Sequence, residues 1–333
     1  MGFELKNVGA GIIGYGGAFN MGRQHGQQIE KAGMKVVAAC DIDPARAKAA
    51  AQDFPGIQTT TDYRELIANP KVDLCVVILP HNLHAPVTLD CLEAGKHVVV
   101  EKPMCVTTEE ADAMIQAARS RNLMLSIYHN RRWDGDYLTI KEVVEKGLIG
   151  EVFHIECAIG GFHRPSDWWR SDKALAGSGM HDWGAHFFDW ILHLIPSPVQ
   201  SVTGNFLKRR WHEHTIEDHT HALVRFENGA TADLQVSMLN ASRKPMWRVL
   251  GTQGGLTSDW GKPVTVHVDH DGYLASFELP PKKVEMAYYE NIAGHLMHGE
   301  ELFVKPEESR RTIAIVEAAE RSSGQGGVAV APN

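Results

Sequence analysis

The chain has 333 residues, too many for one ordinary core, and its 44% hydrophobic content is enough to fill two. A formal net charge of −8 with no long Lys/Arg block argues against a nucleic-acid surface, and no apolar run reaches membrane-spanning length. The cysteines (Cys40, Cys75, Cys91, Cys105, Cys157) are odd in number and lack C-x-x-C spacing, which suits reduced thiols in a cytoplasmic protein, and the residues before Val8 carry no twin arginine.

Short apolar runs (Val8 to Ile13, Lys35 to Cys40, Val72 to Leu79, His97 to Val100, Leu123 to Tyr128) alternate with segments of helical spacing (Pro44 to Asp53, Tyr63 to Ala68, His84 to Ala94, Thr108 to Arg121). That rhythm predicts a parallel sheet flanked by helices over residues 1–128. Asp43-Pro44 and Thr107 mark helix starts, and Gly95 marks a helix end. Residues 129–333 read as an α+β domain with a large, mostly antiparallel open sheet. Its helices are expected at Asp136 to Lys146, Asp182 to Leu194, Met286 to His298 and Glu307 to Arg321, and its hairpin is signalled by Glu227-Asn228-Gly229. The tail from Gly324 has no periodicity and is expected as an arm, packed back on the first domain, or as a frayed end.

Between the first strand and first helix stands Gly14-Tyr15-Gly16-Gly17-Ala18-Phe19-Asn20-Met21-Gly22. Glycines there let the backbone approach a pyrophosphate, which amide groups and the positive end of the next helix then hold. The strict G-x-G-x-x-G spacing fails at Phe19, and the third glycine is better taken as Gly22. Asp41, at the end of the second strand, suits a ribose 2′-hydroxyl and would repel a 2′-phosphate, so NAD is expected over NADP. The fourth strand leads into Leu79-Pro80-His81-Asn82, then His84, which is expected either beside the nicotinamide or simply as a helix start. The fifth leads into Glu101-Lys102-Pro103, placing Lys102 at the strand ends where ligands of parallel sheets bind.

With these motifs and Gly179-Met180-His181-Asp182-Trp183-Gly184-Ala185-His186 in one chain, the sequence resembles the Gfo/Idh/MocA oxidoreductase family over nearly its whole length. Pro80-His81-Asn82-Leu83-His84, Gly95-Lys96-His97, Asn130-Arg131-Arg132-Trp133-Asp134, Trp169-Arg170 and Gly251-Thr252-Gln253-Gly254-Gly255 add to the resemblance. It implies a Rossmann domain, a substrate domain on an open sheet, a nicotinamide cofactor, a sugar or polyol substrate, a homodimer or homotetramer, and catalytic roles for Lys102, Asp182 and His186. The longer turn at Ala18-Phe19-Asn20 departs from the family's pattern.

Alcohol oxidation sends a hydride from carbon as a proton leaves oxygen, so a base must reach the hydroxyl. His186 is the candidate base, Asp182, four residues earlier on the same helix face, the orienting group, and Lys102 the donor that stabilises developing alkoxide charge. Arg132, His163, Trp168, Trp169 and Arg170 are candidate substrate contacts, the indoles as walls for a sugar ring; Arg132 equally suits a structural ion pair, and Trp190 a core position. The pairs His212/His214 and His219/His221 raise a metal site, but no cysteine or tight carboxylate set completes one, and none is expected. Two other readings stand beside it: a glycoside hydrolase or lyase that retains NAD, oxidises its substrate transiently and needs the same residues, and a silent NAD-binding sensor, against which Lys102, Asp182 and His186 together speak.

Overall fold

The computed structural model describes residues 8–16 and 19–333. The chain divides into two compact units: residues up to His129 together with Ala287–Arg310, and Asn130–Met286 together with Arg311–Asn333. A single boundary at 128/129 therefore misses a returning segment, because the late helix from Tyr288 has its partners in the first unit.

The first unit begins β1 (Gly9–Ile13), α1 (Met21–Lys31), β2 (Lys35–Cys40), α2 (Pro44–Asp53), β3 (Gln58–Thr60), α3 (Tyr63–Ile67), β4 (Leu74–Val77), α4 (His84–Glu93), β5 (His97–Val100), α5 (Thr108–Ser120) and β6 (Leu125–Ile127). Its six strands are all parallel, in the order β3-β2-β1-β4-β5-β6. The order reverses beside β1, the switch point where such sheets bind ligands. Strands β1 and β4 are buried at every position, as their unbroken apolar runs require of strands covered on both faces. Asp43 caps α2 by accepting from the Ala45 amide at 2.9 Å. Thr107 and Glu110 form a reciprocal capping box at the start of α5, and Gly95, at φ 76°, follows the end of α4.

The second unit contains α6 (Gly135–Glu145), β7 (Val152–Gly160), α7 (Lys173–Ala176), α8 (Gly179–Leu194), β8 (Val199–Leu207), β9 (His219–Phe226), β10 (Thr231–Ser237), β11 (Trp247–Gly251), β12 (Gly254–Ser258), β13 (Val264–His270) and β14 (Tyr273–Leu279). Its sheet runs β14-β13-β12-β11-β7-β10-β9-β8 and is antiparallel except for the parallel pair β7 and β10. Tyr137 of α6, Phe187 and Trp190 of α8 and Trp247 of β11 interlock as the aromatic centre of its core. Trp190 is thus a core residue, 2% exposed, with its indole N–H on the Arg131 carbonyl at 3.0 Å.

The chain then gives α9 (Tyr288–His298) to the first unit and runs through α10 (Pro306–Gly324) into the second. The tail is ordered: Val330 bridges Val202 of β8, so its contact is within the second unit. All five cysteines are buried and none is in a disulfide. No helix among the described residues is long and apolar enough to cross a membrane.

Candidate active site

In the first unit the candidate residues gather at the carboxyl ends of β1, β2, β4 and β5. Gly14 follows β1 at φ 85°, and a Cβ there would stand 2.0 Å from the Ile78 carbonyl oxygen, so only glycine lets the turn pass β4. At Gly22 a Cβ would meet the Tyr15 carbonyl oxygen at 2.5 Å, which keeps the opening turn of α1 close to the loop. Gly17 lies outside the described residues. Phe19 is 57% exposed, and Asn20, left-handed at φ 51°, precedes Met21 without giving α1 a side-chain cap. The opening amides of α1 are thus not claimed by a capping side chain.

Asp41 is 5% exposed at the end of β2; its two oxygens accept from the Gly16 amide at 2.7 Å and the Asp43 amide at 3.0 Å. The carboxylate therefore braces the glycine turn as well as marking the strand end. Beyond β4, Leu79 and Pro80 lead into a short turn, His81–Leu83, where the Asn82 side-chain oxygen is buried with no hydrogen-bond partner among the described residues. His81 is buried in the same turn. His84 both starts α4 and spans the site: buried, it sets Nδ1 2.7 Å from the Pro103 carbonyl and Nε2 2.9 Å from that of Leu79. Burial lowers its pKa, so the neutral ring has one N–H for two carbonyls.

Glu101, 9% exposed, accepts the Lys102 amide on Oε2 at 3.0 Å. Lys102 is half-buried and joined to Pro103 by a cis bond. Burial pushes the Glu101 carboxyl up, but the His25 hydrogen bond and the neighbouring Lys102 charge hold it below the usual carboxylate range. The positive-φ glycines, the uncapped α1, the carboxylate at β2 and the unpaired amide oxygen of Asn82 fit a dinucleotide.

In the second unit Asp182 and His186 occupy successive turns of α8. His186 is 4% exposed, its ring 6.0 Å from that of Trp183 and 6.2 Å from that of Trp190. Arg170 Nε stands 3.7 Å from Asp182 Oδ2, and its guanidinium lies over the rings of Trp169 (4.3 Å) and Trp168 (4.6 Å). Trp168, Trp169, Arg170 and Asp182 therefore form one group. His163 is exposed on the segment after β7, its amide on the Met238 carbonyl, and no described contact ties it to that group. Arg132 makes a buried two-pronged pair with Asp189, Nε to Oδ2 at 2.8 Å and Nη2 to Oδ1 at 2.5 Å, which is the structural alternative open in the sequence.

The start of α8 is held by residues outside the candidate set. Glu217 accepts the Gly179 amide at 2.8 Å, and Ser178 and His181 form its capping box. Asp189 betrays itself in sequence as an acid inside the apolar run Phe187-Phe188-Asp189-Trp190-Ile191. A cavity of about 570 Å3 in the same unit is lined by Trp133, Asp134, Asp136, Trp260, Lys282 and Glu285 and excludes Asp182 and His186.

Of the histidine pairs, only His219 and His221 share a strand, on the half-buried face of β9, where His221 pairs with Asp233; His212 and His214 fall between strands. No cluster of three or more metal-ligating side chains occurs among the described residues.

Residues 8–129 match the family described as "Oxidoreductase family, NAD-binding Rossmann fold", and residues 137–257 the "GFO/IDH/MocA C-terminal domain". The chain is 28% identical to scyllo-inositol 2-dehydrogenase (NADP(+)) of Bacillus subtilis, covering 96% of this chain and 95% of that one. It is 26% identical to levoglucosan dehydrogenase of Pseudarthrobacter phenanthrenivorans over 77% of this chain and 74% of the other. The crystal structure of an NAD-binding protein from Listeria innocua superposes with a TM-score of 0.88 at 32% identity, covering 98% and 97% of the two chains.

Proposed function

The chain belongs to the Gfo/Idh/MocA oxidoreductase family, and from that premise we propose that it is a dehydrogenase moving a hydride between NAD and a secondary alcohol or ketone of a sugar, polyol or glycoside. The observation that carries the proposal is His186: a histidine with 4% exposure, one helical turn beyond a carboxylate that faces an arginine stacked on two indoles. A buried imidazole beside a carboxylate is equipped to take a proton from a hydroxyl.

In this reading the nicotinamide, when bound, supplies the hydride acceptor. His186 receives the alcohol proton, and Asp182 orients it or a neighbouring substrate hydroxyl. Lys102 donates to the same substrate oxygen and stabilises the charge developing on it. Trp168 and Trp169 offer apolar faces to a ring whose hydroxyls Arg170 and Asp182 bind. Gly14, Gly16, Asn20 and Met21 hold the pyrophosphate, with Leu79 to Asn82 along the dinucleotide. NAD is preferred to NADP on the Asp41 carboxylate, which repels a 2′-phosphate; the B. subtilis relative is named for NADP. A cytoplasmic setting belongs to the same proposal, as does assembly into a homodimer or homotetramer. For assembly the support is β14, which ends the sheet order with six of its seven residues exposed.

The test offers purified protein scyllo-inositol, levoglucosan and an aryl glycoside with NAD and then NADP, following absorbance of the reduced dinucleotide and released phenol together. Reduced NAD building up with a polyol or anhydrosugar is the expected result. Phenol release without net reduction would replace the proposal with the NAD-retaining hydrolase, and no calorimetric affinity for either dinucleotide would end both.

A further inference from the structure

His25 is the fifth residue of α1, the helix that opens from the glycine turn, and it is fully buried. A histidine out of solvent needs partners for both ring nitrogens. Nδ1 lies 2.6 Å from the Tyr289 hydroxyl of α9, and Nε2 lies 3.1 Å from Glu101 Oε1. The other oxygen of Glu101 already holds the backbone amide of Lys102. The ring of Tyr128, just past β6, lies 4.1 Å from the imidazole, and its hydroxyl donates to Gln28, one turn further along α1, at 2.9 Å.

We propose that His25 is a positioning residue for Lys102, fixing the Glu101 carboxylate that in turn fixes the lysine's backbone to the helix behind the glycine turn. This rests on the assignment of Lys102 to proton transfer made above.

A count of protons gives the chain its direction. An ionised Glu101 only accepts, so Nε2 carries the hydrogen that it donates to Oε1. A ring whose one hydrogen sits on Nε2 has an acceptor at Nδ1, to which the Tyr289 hydroxyl donates. Burial pushes the Tyr289 pKa well up, so that proton stays in place. Tyr289, His25, Glu101 and the Lys102 amide thus form one run of hydrogen bonds in which each donor meets an acceptor. Such fixing matters because a displacement of about 1 Å at a reacting group costs on the order of a hundredfold in rate.

Glu101 is faced by His25 from α1, Tyr289 from α9, Tyr128 beyond β6, His84 from α4 and Lys102 on its own segment. Taking away the His25 donor leaves only the Lys102 charge and amide to oppose burial, so the carboxyl rises and its protonated form takes over at a higher pH. The acidic limb of the kcat profile then moves upward.

The experiment compares His25→Leu, which fills the space without a donor, with His25→Gln, which can donate to Glu101, using the polyol that reduces dinucleotide in the panel above. In the Leu variant kcat is expected to fall about tenfold or more, the acidic limb to rise by about one pH unit, and the NADH dissociation constant to stay within about twofold; the Gln variant recovers most of kcat. Tyr289→Phe, which removes only the outer donor, serves should the Leu variant not fold, and a smaller fall in kcat is expected. Nitrogen NMR of histidine-labelled full-length protein needs no substrate: the signal missing from His25→Gln is expected to show its hydrogen on Nε2 and a bare Nδ1. Unchanged kcat and pH profile in the Leu or Phe variant, or an Nδ1–H tautomer, overturns the inference. Wild-type kcat in Lys102→Ala overturns instead the assignment on which it rests.

Discussion

The Arg132 guanidinium and Asp189 carboxylate are 11% and 2% exposed, so removing one leaves the other charged and out of water. Breaking such a pair costs about 3–5 kcal/mol, and Asp189→Ala is expected to lower the urea midpoint accordingly. A midpoint within experimental error of wild type would show that water reaches Arg132. At His186 the expected loss is in rate. His186→Ala should reduce kcat by about a hundredfold or more while calorimetry shows unchanged dinucleotide affinity. Undiminished turnover would remove the imidazole from proton transfer. His25 shows what a residue-by-residue reading overlooks: with Gly22, Gly26 and Ile29 it forms the buried stripe of α1, at helical spacing, yet its partners are 76 and 264 residues away. That a helix follows the glycine turn was legible in the sequence, and the partners were not.

Among the elements, α5 has the clearest start. Thr107 accepts from the Glu110 amide at 3.2 Å while Glu110 accepts from the Thr107 amide at 3.1 Å. Thr107→Ala is expected to cost about 1 kcal/mol in a thermal melt, and Thr107→Asn much less. Helices α2, α4 and α5 were legible to within a residue because their capping and closing residues act locally. Helix α8 begins at Gly179, three residues before the expected Asp182, because His181 does the work a Glu or Gln usually does in a capping box. Strand β14 went unread because nearly all its residues are exposed and no alternation of burial marks it. Lys102 could be placed from its apolar strand and following proline, whereas Arg132 could not be assigned until Asp189 was seen opposite it.

For the whole molecule, β14 gives the clearest expectation. Tyr273 is 78% exposed and Phe277 39%, two large apolar side chains on one face of β14. If a second copy covers this face, Tyr273→Lys with Phe277→Lys is expected to shift the sedimenting species toward the monomer. A wild-type chain that already sediments as a monomer would end that expectation. The polar outer positions of β9 and β10, with His221 on Asp233, have no comparable apolar content.

The return of α9 to the first unit bears on how the protein is made. A ribosome releases the glycine turn, β5 and Glu101 early, but Tyr289 follows His25 by 264 residues. At roughly 5–20 residues per second that is on the order of ten to fifty seconds during which a nascent chain holds an imidazole without its hydroxyl and a sheet without its last helix. The first unit is thus expected to remain loosely closed until Tyr289 has left the ribosome, and to depend on chaperones for longer than the early place of its sheet suggests.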